Sequence, residues 1–251
     1  MGRQELYYFI ADTHLGLRYG DYQAREKVFA SFLQQIPKDA KAVYLLGDIF
    51  DFWFEYVRVI PKGFVRTLGK LAEIADSGIR IYFFTGNHDM WCYDYFEREC
   101  GIKVFFSPQR MRLAGRNVLI AHGDNMNIDD KPLLRLMNTI FRSKTARRIF
   151  SWAVHPDLAL RFGHWWSGKS RKTHAAETLT RDSLGFLIDY ARRYEAQHPD
   201  TDYIIFGHMH YACDYREDGL RVLFLGSWDE ANPVYGVIDG EGEAELKTFE
   251  S

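Results

Sequence analysis

Phe84-Thr85-Gly86-Asn87-His88-Asp89 is the stretch on which the interpretation of the fold depends. It follows an apolar, β-prone run and places an amide, an imidazole and a carboxylate on one tight turn. Such a turn at the end of a strand predicts a binding or catalytic position. Four other short stretches carry similar polar side chains directly after apolar runs: Asp12-Thr13-His14, Gly47-Asp48, His122-Gly123-Asp124 and Gly207-His208-Met209-His210.

The apolar runs at 7–11, 42–46 and 79–84 alternate with helical spacing at 21–35 and 64–76. Strands that alternate with helices favour a parallel sheet with right-handed crossovers, in which reactive residues collect at the carboxyl ends of the strands. Shorter strands follow residue 101, and two of them flank a hairpin turn at Ala114-Gly115-Arg116.

The second half of the chain completes the predicted fold. Residues from about 130 to 196 have helical character, and strands are predicted again over 202–206, 211–216, 221–225, 234–238 and 244–248. The pattern predicts an α/β fold in which two sheets form an αββα sandwich. We expect one domain, residues 1–251, interrupted by a helical insert at about 130–196.

Composition is that of an ordinary soluble protein, with 251 residues, 47% of them hydrophobic and 26% charged. Cys92, Cys100 and Cys213 form no C-x-x-C pair, which indicates reduced thiols rather than a disulfide framework. The N-terminus runs into a predicted strand, so we expect no signal peptide. No apolar run approaches the ~18 residues that cross a bilayer. These features favour a cytoplasmic protein.

Charge is distributed unevenly along the chain. Residues 131–172 contain ten Lys or Arg and one acid, a net charge of +9, which leaves −11 for the remainder. A basic segment on an acidic body predicts an anionic partner for that segment, although a merely solvated helical face would show the same charge run.

The polar stretches contain the side chains that a divalent metal site needs. Asp12 and His14 are two residues apart, so an extended strand would point both to one side, and His208 and His210 repeat that spacing. Asp48 could bridge two ions with its two oxygens. The remaining candidate ligands are Asn87 and His122.

Mixed imidazole, carboxylate and amide ligands suit Mn²⁺, Fe²⁺ or Zn²⁺ better than Mg²⁺ or Ca²⁺. Two such ions about 3.5–4 Å apart can clamp a phosphoryl oxygen and activate water. Taken singly, an Asp-x-His or a Gly-Asp at a strand end is more often structural, and a His-Gly-Asp turn is as consistent with a capping aspartate as with a metal ligand. Five such turns in one chain favour two divalent ions, with Mn²⁺ as the expected metal.

The order of these stretches along the chain and their amino-acid sequences resemble the motifs of the calcineurin-like metallophosphoesterases. The resemblance implies that Asp12, His14, Asp48 and His210 hold one ion. It implies that Asp48, Asn87, His122 and His208 hold the other. It also implies that His88 is the catalytic histidine, hydrogen-bonded to and oriented by Asp89.

The residues that flank the motifs carry a narrower resemblance. They are similar to those of the UDP-2,3-diacylglucosamine pyrophosphohydrolases of lipid A biosynthesis. The relevant segments are Ala11–Leu15, Leu46–Trp53, and the His122-Gly123-Asp124 stretch leading to Asp130 and Phe141-Arg142. It implies cleavage of a nucleotide diphosphate to lipid X and UMP, with the insert as a lid over the acyl chains. The implied substrate-binding residues are Asn87, His88, Asp130, Ser167, Lys169, Lys172 and His208.

Two positions depart from that narrower family. His88 stands where many members have Arg, and Leu133 stands where a tyrosine is expected. The alternative enzyme is a metallophosphodiesterase that acts on soluble nucleotides or nucleic acid. The non-enzyme alternative is a metal-holding scaffold whose insert binds a partner protein.

The insert combines basic residues with an apolar stripe, Leu133, Leu136, Met137, Ile140 and Phe141, and with the aromatic residues Phe162, Trp165 and Trp166. This combination favours an anionic membrane surface, with the protein peripheral on the inner membrane, or a groove for acyl chains. The alternative is that the stripe packs on the body as core. Nucleic acid is disfavoured because the acidic body repels a long polyanion. No obligate protein partner is indicated.

Overall fold

Two β-sheets pack face to face at the centre of the molecule, with helices on the outer face of each. The computed structural model describes residues 6–17, 21–126, 132–163, 165, 181–228 and 232–250. The strands are β1 Tyr7–Ile10, β2 Ala42–Leu46, β3 Arg80–Phe84, β4 Ile102–Phe105, β5 Gln109–Leu113, β6 Arg116–Ala121, β7 Tyr203–Phe206, β8 Ala212–Glu217, β9 Leu220–Leu225, β10 Val234–Ile238 and β11 Ala244–Thr248.

The helices divide between the two halves of the chain. They are α1 Tyr22–Gln35, α2 Val65–Asp76, α3 Tyr95–Cys100, α4 Pro132–Arg142, α5 Lys144–Ala153, α6 over 156–163, and α7 Gly185–Gln197, which a 3₁₀ turn at Arg181–Leu184 precedes. Asp21 caps the start of α1, because its carboxylate accepts hydrogen bonds from the amides of Gln23 and Ala24. Among the described helices, none combines the length and the apolar character needed to span a bilayer.

The first sheet has six strands in the order β11-β10-β1-β2-β3-β4, and the second has five in the order β5-β6-β7-β9-β8. Strands β1 to β4 run parallel, as do β6, β7 and β9. The predicted parallel alternation is therefore confirmed. The predicted hairpin is also confirmed, since β5 and β6 pair antiparallel around Ala114 and Gly115.

Successive side chains of β1 point to opposite faces of the sheet, so this one strand contributes to two hydrophobic cores. Tyr7, Phe9 and Ala11 belong to the core between the sheets, whereas Tyr8 and Ile10 belong to the core under the outer helices α1 and α2. Successive side chains on a strand point to opposite faces, so a strand covered on both faces reads as one apolar run. Helix α7 closes the far side against the second sheet through Leu187, Ile188 and Ala191. The predicted αββα sandwich is confirmed.

Helices α4 and α5 cover the body much less than the other helices do. On α4, Leu133, Leu136 and Ile140 are 69%, 57% and 51% exposed, and Trp152 on α5 is 89% exposed. The interpretation that the apolar stripe is packed core is therefore wrong for Leu133, Leu136 and Ile140. The helix period places apolar side chains on one face, but only the position of the neighbouring elements determines whether that face is covered.

Candidate metal centre

The candidate ligands lie at one edge of the sandwich, beyond the carboxyl ends of parallel strands. Asp12 and His14 follow β1, Asp48 follows β2, and Asn87 and His88 follow β3 in the first sheet; His122 follows β6, and His208 and His210 follow β7 in the second. Backbone hydrogen bonds join adjacent turns, with the Asp12 amide donating to Gly47 O at 3.1 Å and the His14 amide donating to Asp48 O at 2.9 Å.

Five of these residues adopt positive φ angles although none is glycine. The angles are 53° at Asp12, 44° at His14, 51° at Asp48, 69° at His208 and 48° at His210. Residues with a Cβ rarely occupy this left-handed region, because it brings Cβ close to the following carbonyl. Such strain persists where the surrounding structure imposes it, and it concentrates at functional sites.

Two glycines allow the turns to approach each other closely. A Cβ on Gly86 would lie 2.1 Å from Asp48 Oδ1, and a Cβ on Gly207 would lie 2.8 Å from Asp12 Oδ2. Neither position can accept a side chain without moving a candidate ligand. The glycines in the Gly-Asn-His-Asp and Gly-His-Met-His stretches are therefore required by contact across the site.

One ligand cluster consists of Asp12, His14 and His210. His14 Nε2 lies 3.0 Å from His210 Nε2, and Asp12 Oδ1 lies 3.6 Å from His14 Nε2 and 3.3 Å from His210 Nε2. Their ligand atoms all lie within 4.8 Å of one another. The other carboxylate oxygen of Asp12 accepts a 2.7 Å hydrogen bond from the His208 amide, which fixes the orientation of the carboxylate.

The second cluster consists of Asp48, His122 and His208, with Asn87 at its side. His122 Nε2 lies 3.4 Å from Asp48 Oδ2 and 3.4 Å from Asn87 Oδ1. His122 Nδ1 lies 2.7 Å from Leu46 O; because a carbonyl only accepts, Nδ1 carries the proton and Nε2 faces the cluster as the ligand atom. The structure thus brings all seven predicted metal ligands to one edge.

Electrostatics at this edge favour positive charge. Burial raises the pKa of Asp48, but His122 and His88 outweigh burial and hold that pKa well below the usual range. Burial lowers the pKa of His122, but Asp48 dominates and raises it to about 10. The carboxylates thus stabilise positive charge at this edge, and a proton and a metal ion would compete for the same imidazole nitrogen.

The donor set fits divalent ions. Asp12 Oδ1 is buried and has no hydrogen-bond partner among the described residues, although a buried carboxylate oxygen without one is costly. It faces two imidazole nitrogens that themselves point at each other. Oxygen and nitrogen lone pairs that converge on one point indicate a cation site, because acceptor atoms cannot satisfy one another by hydrogen bonding.

The position of His88 corrects one expectation. Its Nδ1 lies 2.7 Å from the backbone oxygen of Asp51, and its Nε2 lies 3.9 Å from Asp48 Oδ2. The predicted His88–Asp89 hydrogen bond is wrong. The Asp89 carboxylate instead accepts from the amides of Gly86 and Ile49, both at 2.8 Å, because neighbouring residues on this turn point in different directions.

Asp89 therefore joins two turns instead of orienting an imidazole. It is fully buried, and burial followed by Asp48 raises its pKa to about 7. Four predicted substrate-binding residues, Asp130, Ser167, Lys169 and Lys172, lie outside the described residues.

The family model for calcineurin-like phosphoesterases matches residues 7–212, which include every candidate ligand. The chain belongs to the calcineurin-like phosphoesterase family. Its members use divalent metals, and the two clusters are the corresponding candidate sites in this phosphoesterase.

Curated relatives extend this similarity over almost the whole phosphoesterase. The chain is 40% identical to the UDP-2,3-diacylglucosamine hydrolase of Porphyromonas gingivalis, over 93% of this chain and 94% of that protein. It is 31% identical to the UDP-2,3-diacylglucosamine hydrolase of Pseudomonas aeruginosa, over 88% and 90% of the two chains. The corresponding protein of Haemophilus ducreyi is 29% identical, over 94% and 97%.

Two buried or partly buried carboxylates were not predicted from the sequence: Asp51, which belongs to the site, and Glu55, which lies at the start of α3. Asp51 holds His88 through its carbonyl, and its Oδ1 lies 3.8 Å from His14 Nδ1. Buried Glu55 accepts hydrogen bonds from the amides of Tyr93, Asp94 and Tyr95 at 2.7, 2.9 and 3.0 Å. The Asp48-Ile49-Phe50-Asp51 spacing could have indicated Asp51, because a second carboxylate follows the first on the same turn.

Proposed function

We propose that this phosphoesterase hydrolyses the pyrophosphate bond of UDP-2,3-diacylglucosamine to give lipid X and UMP in lipid A biosynthesis. The observation that carries the proposal is the 40% identity to a UDP-2,3-diacylglucosamine hydrolase over 94% of that protein's length. A full set of candidate ligands stands at one edge of the sandwich, as this hydrolysis requires.

Two ions, most suitably Mn²⁺, are proposed at the clusters. Asp12, His14, His210 and one oxygen of Asp48 would hold the first ion, and Asp48, Asn87, His122 and His208 would hold the second. Such ions polarise phosphoryl oxygens and lower the pKa of a bound water. Imidazole donors favour Mn²⁺, Fe²⁺ or Zn²⁺ over Mg²⁺.

His88 is the proposed catalytic residue. Because the Asp51 carbonyl accepts from Nδ1, that nitrogen carries a proton, and Nε2 is directed towards the Asp48 side of the site. As an imidazolium, the ring donates from Nε2 to the oxygen that leaves phosphorus and stabilises its developing charge. Because the Asp51 carbonyl fixes the orientation of the ring, His88 does not have to reorient during the reaction.

The exposed helices favour a lipid substrate over a soluble one. Leu133, Leu136, Ile140 and Trp152 expose apolar surface within the segment that carries a net charge of +9. An apolar and basic surface of this kind binds anionic lipid and covers acyl chains. We therefore propose a cytoplasmic enzyme that works peripherally on the inner membrane, with Asn87, His88, His208, Asp130, Ser167, Lys169 and Lys172 contacting the substrate.

The test is incubation of the full chain with UDP-2,3-diacylglucosamine and Mn²⁺ in mixed micelles, with UMP release followed over time. The expected result is stoichiometric UMP and lipid X, abolished by a chelator and restored by added Mn²⁺. Rapid hydrolysis of a chromogenic phosphodiester without UMP release from the lipid would assign the metal centre to a soluble diester and reject the lipid substrate.

A further inference from the structure

One segment of the body, residues 57–66, presents an unusual combination of side chains to solvent. It runs from the region after β2 into the start of α2 and lies outside the insert at about 130–196. Apart from Gly63, every exposed residue of the 57–66 segment is either a valine or a cation. The exposed valines are Val57, Val59 and Val65, and the exposed cations are Arg58, Lys62 and Arg66.

The valines of the 57–66 segment stay outside although the same segment reaches the core beneath it. Phe64 is buried, with its ring centroid 4.9 Å from that of Phe50, and Ile60 packs against the same core. Val57 and Val65 nevertheless remain 80% and 76% exposed. The segment therefore divides its apolar residues into an anchored set and an exposed set. Exposed apolar side chains grouped in this way mark a contact surface.

The cations of the 57–66 segment have little acidic compensation. Within the described part of the chain, no ion pair joins Arg58 or Lys62 to a carboxylate, and Arg66 lies 4.0 Å from Glu26 while its side chain stays 58% exposed. The segment contains no Asp or Glu, although the chain outside 131–172 carries a net charge of −11. A cationic segment on a body that is otherwise acidic favours an anionic partner.

The 57–66 segment adjoins the exposed helices of the insert. Tyr56, immediately before it, donates from its hydroxyl to Val154 O at 2.9 Å and packs with Phe54 and Ala159 in a small core beneath α5 and α6. Val154 directly follows α5, on which Trp152 is 89% exposed. The apolar and basic surface of the insert is therefore continued on the body by the 57–66 segment.

We infer that the 57–66 segment is a second contact with an anionic bilayer surface, in addition to the exposed faces of α4 and α5. The inference rests on the proposed location at the membrane and adds a surface that belongs to the body. Valine side chains enter the boundary between lipid headgroups and acyl chains, and the charged ends of Arg and Lys bind lipid phosphates beside them. Single-stranded nucleic acid would need exposed aromatic rings for its bases, whereas Tyr56 and Phe64 are buried.

The first test is sedimentation of the full chain with phosphatidylglycerol and with phosphatidylcholine vesicles. Arg58→Gln combined with Lys62→Gln should weaken binding to phosphatidylglycerol vesicles about tenfold or more, since each cation near an anionic surface contributes roughly fivefold. Added salt should weaken binding of the parent chain more than binding of this variant. The matched control, Arg216→Gln combined with Lys247→Gln, removes the same charge from β8 and β11, where each cation pairs with an acid, and should bind nearly as the parent chain does.

Val57→Ser combined with Val59→Ser separates apolar insertion from charge. Both side chains are exposed, so the free energy of unfolding should stay unchanged while binding to phosphatidylglycerol vesicles weakens several-fold. Hydrogen exchange locates the contact directly: phosphatidylglycerol vesicles should slow exchange of the amides of 57–60 and leave those of 217–220, in the hairpin between β8 and β9, unchanged. Both variants of the 57–66 segment should hydrolyse a soluble phosphodiester at the rate of the parent chain.

Parent-like vesicle binding by both variants would overturn the inference, as would unchanged hydrogen exchange over 57–60. If the valine substitutions changed only the self-association of the chain, the segment would belong to an interface with a second copy, which also overturns it. Failure of the proposed function is distinct from these outcomes. It would be seen as the absence of UMP release from the lipid substrate while the 57–66 segment still binds vesicles.

Discussion

His88 is held by Asp51: the Nδ1 atom of the histidine lies 2.7 Å from the backbone oxygen of the aspartate. The amide of His88 donates to Asp48 Oδ1 at 2.9 Å. Both the ring and the backbone of His88 are therefore hydrogen-bonded to the turn after β2. The residue proposed for catalysis and the proposed bridging ligand are thus parts of one rigid connection between two strand ends.

Replacing His88 with Ala should lower kcat by about 10²–10⁴, the usual contribution of a general acid or base. Both metal ions should remain bound, since the imidazole is not among the proposed ligands. The measurement pairs steady-state kinetics with metal analysis of the purified variant. Near-full activity would remove His88 from the mechanism.

Asp48→Ala should abolish binding of both ions. Its carboxylate is buried, faces His122 and is proposed to contact each metal. Metal content by mass spectrometry after dialysis should fall well below one ion per chain. Asp124→Asn serves as the control, because Asp124 pairs with Arg142 and belongs to neither cluster. Two ions bound in Asp48→Ala would contradict the bridge.

Asp89→Asn should destabilise the fold by about 1–3 kcal/mol, because the new amide group has to face backbone N–H donors. The carboxylate accepts from Gly86 and Ile49 and is fully buried. The free energy of unfolding from denaturant titration measures the effect. If Asp89→Asn left the free energy of unfolding unchanged but altered the tautomer of the His88 ring, Asp89 would orient that ring directly after all.

Glu55→Gln should also lower the free energy of unfolding, by about 1–3 kcal/mol, since the buried carboxylate accepts from three amides at the start of α3. Glu73→Gln is the matched control on the surface, where an exposed ion pair with Lys70 contributes little. The control should show no measurable change. Equal stability of Glu55→Gln and the parent chain would contradict the capping role.

Trp152→Ser should weaken binding to anionic vesicles several-fold while leaving hydrolysis of a soluble phosphodiester unchanged. The side chain is 89% exposed on α5 and lies in the segment of net charge +9. Sedimentation with phosphatidylglycerol and with phosphatidylcholine vesicles separates charge from apolar contact. Identical sedimentation of the variant and the parent chain with both lipids would reject the membrane surface on α5.

The architecture could be predicted because its signals are local. Strand β1 reads as one apolar run since both of its faces are covered, and the helical spacing of 64–76 matches α2, Val65–Asp76. Asp12, Asp48 and Asn87 end such runs, so parallel pairing alone places them at one edge. The meeting of His122 and His208 with them required only that the second sheet align its parallel strands in the same way.

Contacts between distant turns could not be predicted in this way. Sequence pattern identifies His88 and Asp89 as polar residues on a turn, but their directions depend on the turn after β2, some forty residues earlier in the chain. The same limit applies to the helices after β6, whose period predicts an apolar face on α4 without predicting that Leu133 and Leu136 stay exposed. Periodicity and strand ends are properties of neighbouring residues, whereas hydrogen-bond partners and burial depend on which segments the folded chain brings together.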